Sequence, residues 1–421
     1  MCHTRRLSLA VCLVLFVGVV AAQAEDWPQW RGPRGDGTST ETNLPLKWSK
    51  TENVAWKVAI PGRGYSSPTI WGDRIFLTTC LEAENPPKHV TLCLDRRNGK
   101  VLWEHTLPMQ FPKLIHKRNS HASSTVATDG KHAYVTFLDA PRYIVGCYDF
   151  DGKLVWQKSP GEFHSKHGFC SAPLLYQNLV ILNGDQDHRD AFLVALDKTT
   201  GEEKWRAKRS GTRSYTPPVV IDVHGKKQLV FSGSHGVDSY NPDDGKLIWH
   251  MDGPTEQYVA SLIYHNDVLF MTYGFPKLGV MGINPDGTGN ISKTHVLFDE
   301  AKGGGYVPSP IARGDYFFNV NDNGIATCRE CKTGKLIWLE RLGQRLHSAS
   351  ATGWGDYIYF PDNDGNTYVI KAGPKFELVA KNVTGEEINA SISISRGQLF
   401  LRDMKYLYCI GSNQQSGKGK E

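Results

Sequence analysis

The chain has 421 residues, with 42 Gly, 22 Pro, 11 Trp and only 22% charged side chains. Its 40% hydrophobic and 11% aromatic content excludes a disordered chain and supports a large packed core. The formal charge of +5 is small and both signs are interspersed, which gives no case for a nucleic-acid partner.

Residues 1–24 read as a targeting segment. His3, Arg5 and Arg6 are basic, and the apolar run from Leu7 to Val20 is too short to span a bilayer as a helix. Ala22-Gln23-Ala24 supplies the small residues a signal peptidase needs. The mature chain is expected to start at Glu25 and to be periplasmic or secreted, with general or twin-arginine export both open. Cys12 follows the bulky Val11 and is not a lipidation site. No other stretch reaches 18 apolar residues, so no membrane span is expected. The mature chain keeps Cys80, Cys93, Cys147, Cys170, Cys328, Cys331 and Cys409, an odd set with at least one free thiol.

Residues 25–44 form an N-terminal extension, and a repeat organises residues 45–411. Trp56, Trp103, Trp156, Trp205, Trp249 and Trp338 recur every 44–53 residues or at twice that spacing. Most close a similar stretch: CLDRRNGKVLW at Cys93 to Trp103, ALDKTTGEEKW at Ala195 to Trp205, CRECKTGKLIW at Cys328 to Trp338. Such a stretch predicts a strand, an Asp turn with Gly at the positive-φ position, and a second strand ending in Trp that packs on a neighbouring unit. Two shorter strands precede each hairpin, as at Ala172 to Tyr176 and Leu179 to Asn183.

Four antiparallel strands per repeat predict an all-β fold of β-propeller blades. Outer strands centre near Trp56, Trp103, Trp156, Trp205, Trp249, Leu297, Trp338 and Val379, which gives eight blades. The last three strands, near residues 390–410, lack an outer strand. Asn53 to Ala59 is an outer strand without a blade. Pairing them closes the ring and leaves no open edge. Residues 412–421 are a polar tail expected to be disordered. A monomer is expected.

The A-x-D-x-x-T-G-x-x-x-W stretch resembles the tryptophan-docking motif of the PQQ-like (pyrroloquinoline-quinone-type) propeller repeat family. That resemblance covers nearly the whole mature chain. It implies a quinoprotein dehydrogenase, a non-catalytic propeller like that of the outer-membrane β-barrel assembly machinery, or one of the family's many exported propellers of unknown role. The Asp26-Trp27-Pro28-Gln29-Trp30-Arg31-Gly32-Pro33 start is similar to the exported group. The dehydrogenases imply an adjacent Cys-Cys pair over the quinone and Glu, Asn and Asp ligands for calcium, and this chain has neither pattern. Haem-bearing relatives imply C-x-x-C-H, whereas Lys332 follows Cys331. No cofactor is expected, and PQQ with calcium is the alternative.

Other motifs read as structure. Cys328-x-x-Cys331 has no second pair for zinc and sits in a hairpin. Cys93, Cys147, Cys328 and Cys409 take the small-residue slot that Ala195 fills and are expected to be buried packing residues. The acidic runs at Asp185 to Asp190 and Asp362 to Asp364 fit turns between strands, so no metal site is expected.

The remaining candidates lie in the connections before each innermost strand. Propeller geometry brings these eight loops to one mouth of the axial channel. They place Tyr65, His121, Phe169, Tyr215, Tyr258, Tyr306, His347 and Asn389 there, with His164 and His167 in the third loop. Arg63, Arg118, Arg213 and Arg345 add positive charge. Convergent Arg, His and Tyr suit an anionic or sugar-like ligand, or the acidic loop of an envelope protein. The expected function is a non-catalytic binding or scaffold module; the alternative is a quinoprotein oxidoreductase of alcohols or sugars with a diverged cofactor site.

Overall fold

The computed structural model describes residues 24–112, 115–233, 235–344 and 346–411. The rest of the targeting segment, the polar tail and Arg345 lie outside the described residues. Every element among them is a strand.

The first repeat shows how the unit is built. Thr69–Trp71, Arg74–Leu81, Lys88–Asp95 and Val101–Pro108 pair in sequence order as an antiparallel sheet. The second and third strands are nearly all buried, whereas the outer strand alternates between half-buried and exposed. Seven such blades follow one another along residues 69–383. The eighth combines Ser393–Ser395, Gln398–Arg402 and Tyr406–Ile410 with Val54–Ala59 from near the N-terminus. The structure is thus an eight-bladed β-propeller, closed by the N-terminal outer strand. Two blades carry a fifth, parallel strand of two residues: Thr38–Ser39 on the inner strand of blade 7, and Gly289–Asn290 on the outer strand of blade 4.

The repeated Trp is the joint between blades. The Nε1–H groups of Trp56, Trp103, Trp156, Trp205 and Trp338 donate to the carbonyls of Arg96, Phe150, Lys198, Pro242 and Gly373, each in the next blade. Distances run from 2.9 to 3.1 Å. Beneath the rings of Trp56, Trp103, Trp156 and Trp205 lies the turn glycine of that next blade, whereas Trp338 meets the Phe376 ring. A Cβ on Gly201 (φ +71°) would stand 2.7 Å from the Trp156 ring. Glycine therefore serves twice here: it adopts positive φ and lets the ring approach. Trp249 differs: it is fully buried and bonds Gln228 of its own blade at 2.8 Å. In blade 5 the docking position falls on Phe298, one residue past Leu297, and its ring lies against Gly334.

Directly across the ladder from these rings stand Cys93, Cys147, Ala195, Ser239, Gly282, Cys328 and Cys409. The small-residue slot is therefore real. All seven cysteines of residues 24–411 are free thiols. Burial pushes Cys93, Cys147, Cys328 and Cys409 up to about 12.

Candidate functional site

An arc of small hydroxyls lies where the innermost strands of six of the eight blades begin. The Ser261 N–H donates to Ser309 Oγ, Ser309 to Ser350, Ser350 to Ser391, Ser391 to Ser67, and Ser67 to Thr125 Oγ1. Each bond is 2.9–3.0 Å and each joins one blade to the next. They satisfy buried N–H groups that no strand can reach.

The N-terminal extension closes the axis on one side of this arc. Trp27 pairs with Ile70 of blade 1, and the Pro28 carbonyl accepts from Thr128 of blade 2 at 2.8 Å. Trp30 Nε1 donates to Ser261 Oγ of blade 5 at 2.8 Å. The buried Arg31 guanidinium donates to the carbonyls of Ala351 (2.9 Å) and Pro310 in blades 7 and 6. Ser395 Oγ of blade 8 donates to the Glu25 carbonyl at 2.8 Å. One segment thus touches six of the eight blades, as an axial peg.

On the other side, the interblade connections enclose a cavity of about 450 Å³ with Trp30 in its wall. All eight connections contribute residues. Of the side chains expected there, Tyr65, Arg118, His167, Arg213, Tyr215, Tyr306 and Asn389 line it. Others do not. Tyr258 and Phe169 are buried inside the blades, because the loop turns them toward the apolar core, and His347 is fully buried beside the Tyr368 ring. His121 lines a separate crevice beside Met109, and His164 points to Glu162 on the blade flank at 3.0 Å. Arg63 leans on Tyr65, donating to its hydroxyl at 2.7 Å. Trp30, His116, Asn119, Gln257 and Phe275 also line the cavity and were not expected from the sequence. Trp30 lies in a segment without the repeat, so periodicity carried no signal for it. The Ser or Thr that recurs two residues before the inner strand in six blades was a visible signal for this hydroxyl arc.

The charges in the cavity are paired. Arg118 bonds Asp322 Oδ1 at 2.8 Å, and Asp322 Oδ2 also accepts from the Tyr306 N–H at 2.7 Å. Arg213 bonds Asp187 at 2.7 Å and Glu256 at 3.4 Å. Arg118 belongs to blade 2 and Asp322 to blade 6, four blades apart in a ring of eight, so this ion pair spans the mouth. Burial, aided by the Arg213 and His116 charges, holds His167 below the usual imidazole range. It is therefore a neutral donor or acceptor at pH 7. Burial pushes the Tyr306 hydroxyl and the Cys170 thiol up to about 12, so both stay protonated. Tyr306 donates to Gln257 Oε1 at 2.9 Å.

Comparisons with known proteins agree with this architecture. A family model described as outer membrane protein assembly factor BamB matches residues 87–268. Over those residues the chain is similar to the PQQ-like repeat. A 1-butanol dehydrogenase (quinone) from Thauera butanivorans is 25% identical over 58% of this chain and 40% of its own length. A BamB from Shewanella oneidensis is 21% identical over 58% of this chain and 61% of its own length. The chain thus spans about half the length of these curated relatives. Among solved structures, BamB from Moraxella catarrhalis aligns with a TM-score of 0.59 at 10% identity, covering 86% of this chain and 98% of that one. Quinohemoprotein alcohol dehydrogenase from Comamonas testosteroni gives 0.64 at 13% identity, covering 94% and 82%. These structural likenesses speak to the fold alone.

The residues present do not fit a calcium-bound quinone of the kind the dehydrogenase resemblance implies. Cys170 has no adjacent cysteine. The carboxylates of Asp322, Asp187 and Glu256 are engaged by Arg118 and Arg213. No group of three His, Cys, Asp or Glu among the described residues is arranged to hold a metal ion.

Proposed function

We propose that this propeller is an exported binding module of the cell envelope that receives a small polar ligand at its channel mouth. One observation carries the reading: a cavity of about 450 Å³ built by all eight connections and backed by the axial peg. Its size falls in the usual range of small-molecule sites, about 300–1,000 Å³, and aromatic walls with a few convergent polar groups are the usual lining. The peg makes it a pocket rather than a conduit. No helix among the described residues is long and apolar enough to cross a membrane.

An oxidoreductase is the second reading, supported by the 1-butanol dehydrogenase relative. One pair of experiments separates the two. Hydrogen exchange with the small-molecule fraction of envelope extract should protect the mouth connections in the parent protein and not in a Tyr65→Ala/Asn389→Ala variant. Equal exchange with and without extract overturns the binding-module reading. Dye-linked alcohol oxidation after adding PQQ and Ca²⁺ should stay at background; turnover would establish the oxidoreductase instead.

A further inference from the structure

We infer that the mouth cavity takes a neutral carbohydrate ring seated against Trp30, and not an anion. This rests on the binding-module reading above and names its ligand class.

Charge decides first. Arg118 and Arg213 are the cations that would attract an anion, and both are matched by carboxylates at 2.7–2.8 Å. An incoming anion would have to displace Asp322 or Asp187. Asp322 is held by the Tyr306 N–H as well, and Asp187 Oδ2 accepts from the Lys166 N–H at 3.2 Å. Displacement would leave a carboxylate facing the new anion, which like-charge repulsion opposes. The cavity wall itself carries the charge-balanced guanidinium groups of Arg118 and Arg213 and no carboxylate side chain. Neutral hydroxyl oxygens can accept from those N–H groups without displacing their partners.

The neutral part of the wall has the same character. Gln257 and Asn389 are amides, which offer both roles, and His167 is an uncharged imidazole. Trp30 is clamped at its Nε1 edge by Ser261, so its ring is fixed where it lines the cavity. A rigid aromatic ring offers broad apolar contact at little entropic cost, which suits the C–H face of a pyranose.

The test is calorimetric titration of the purified chain with D-glucose, D-galactose, maltose and cellobiose as neutral probes, and with D-glucuronate and citrate as anionic ones. At least one neutral saccharide should bind, with an affinity that changes less than twofold between 20 and 500 mM NaCl. Trp30→Leu should weaken that binding at least tenfold. Because Trp30 belongs to the peg, Tyr65→Ala supplies a second variant and should weaken it at least threefold. Binding of glucuronate or citrate at least tenfold tighter than any neutral sugar, and weakened by salt, overturns the inference. Absence of binding by all four neutral probes overturns it too. In either case the hydrogen-exchange experiment with envelope extract still decides separately whether the mouth is a binding site.

Discussion

The Trp–Gly joint predicts a measurable difference between two glycine substitutions. Gly201→Ala places a Cβ 2.7 Å from the Trp156 ring, on a backbone at φ +71°. The left-handed conformation costs a non-glycine residue about 1–2 kcal/mol. Overpacking against a ring that cannot retreat adds about 1–3 kcal/mol. The ring cannot retreat because its Nε1 is tied to the Lys198 carbonyl at 2.9 Å. Gly225 is the control: its φ is +81°, and a Cβ there meets nothing within 4 Å. Gly225→Ala should therefore cost only the conformational part. Urea unfolding, followed by tryptophan fluorescence and near-ultraviolet circular dichroism, should place Gly201→Ala below Gly225→Ala by about 1–3 kcal/mol. Equal losses would show that the ring yields and that the glycine is there for its φ alone.

Other consequences can be tested in the same way. Arg209 is buried between blades 3 and 4 and bonds Asp185 at 2.9 and 3.0 Å, Asp238, and the Tyr240 hydroxyl at 2.7 Å. Arg209→Met should cost about 3–5 kcal/mol, because the carboxylates stay buried without their cation; a neutral outcome in urea unfolding would show that they take up protons or gain other donors and refute the assignment. Ser350→Ala removes the acceptor of the buried Ser309 N–H and should cost about 1–3 kcal/mol in the same assay. Burial would depress His250, but hydrogen bonds to Asp238 and Asp252 outweigh it and hold its pKa above the usual value. Its stabilising contribution is full below the unfolded pKa of about 6.5 and fades as pH rises through the higher folded value. His250→Gln should flatten the pH dependence of stability across that window; an unchanged profile refutes the assignment. At pH 8 the native thiols, pushed up to about 12 at Cys93, Cys147, Cys328 and Cys409, should resist maleimide until the protein unfolds.

The ring was legible in the sequence because its joints repeat. The Trp, the turn glycine and the small residue opposite form one unit, and three residue types in fixed register leave little freedom. Where the unit is altered, reading it from sequence was less exact: Phe298 fills the Trp position, and the neighbouring Leu297 marked it only approximately. The mouth was legible at the level of loops, since connectivity alone brings them together. Individual side chains were not. Tyr258 and Tyr306 occupy similar places in their loops, yet one turns into the core and the other into the cavity. That choice depends on the space between particular blades. The peg was invisible for a different reason: Trp27, Trp30 and Arg31 are fixed by contacts with residues far along the chain, which no local pattern encodes.

The location of the first described residues bears on assembly order. Val54–Ala59 must wait for Tyr406–Ile410, the last strand described, before blade 8 exists. The segment around Trp27 to Arg31 likewise waits for residues of blades 5, 6 and 7. A chain made from its N-terminus therefore presents both clasp and hub before the wheel they hold, and neither can seat early. Such long sequence separations slow folding, because loop-closure entropy must be met before the contacts form. Fragments that end before blade 8 should leave the Val54–Ala59 strand, with Trp56, without its Tyr406–Ile410 partner.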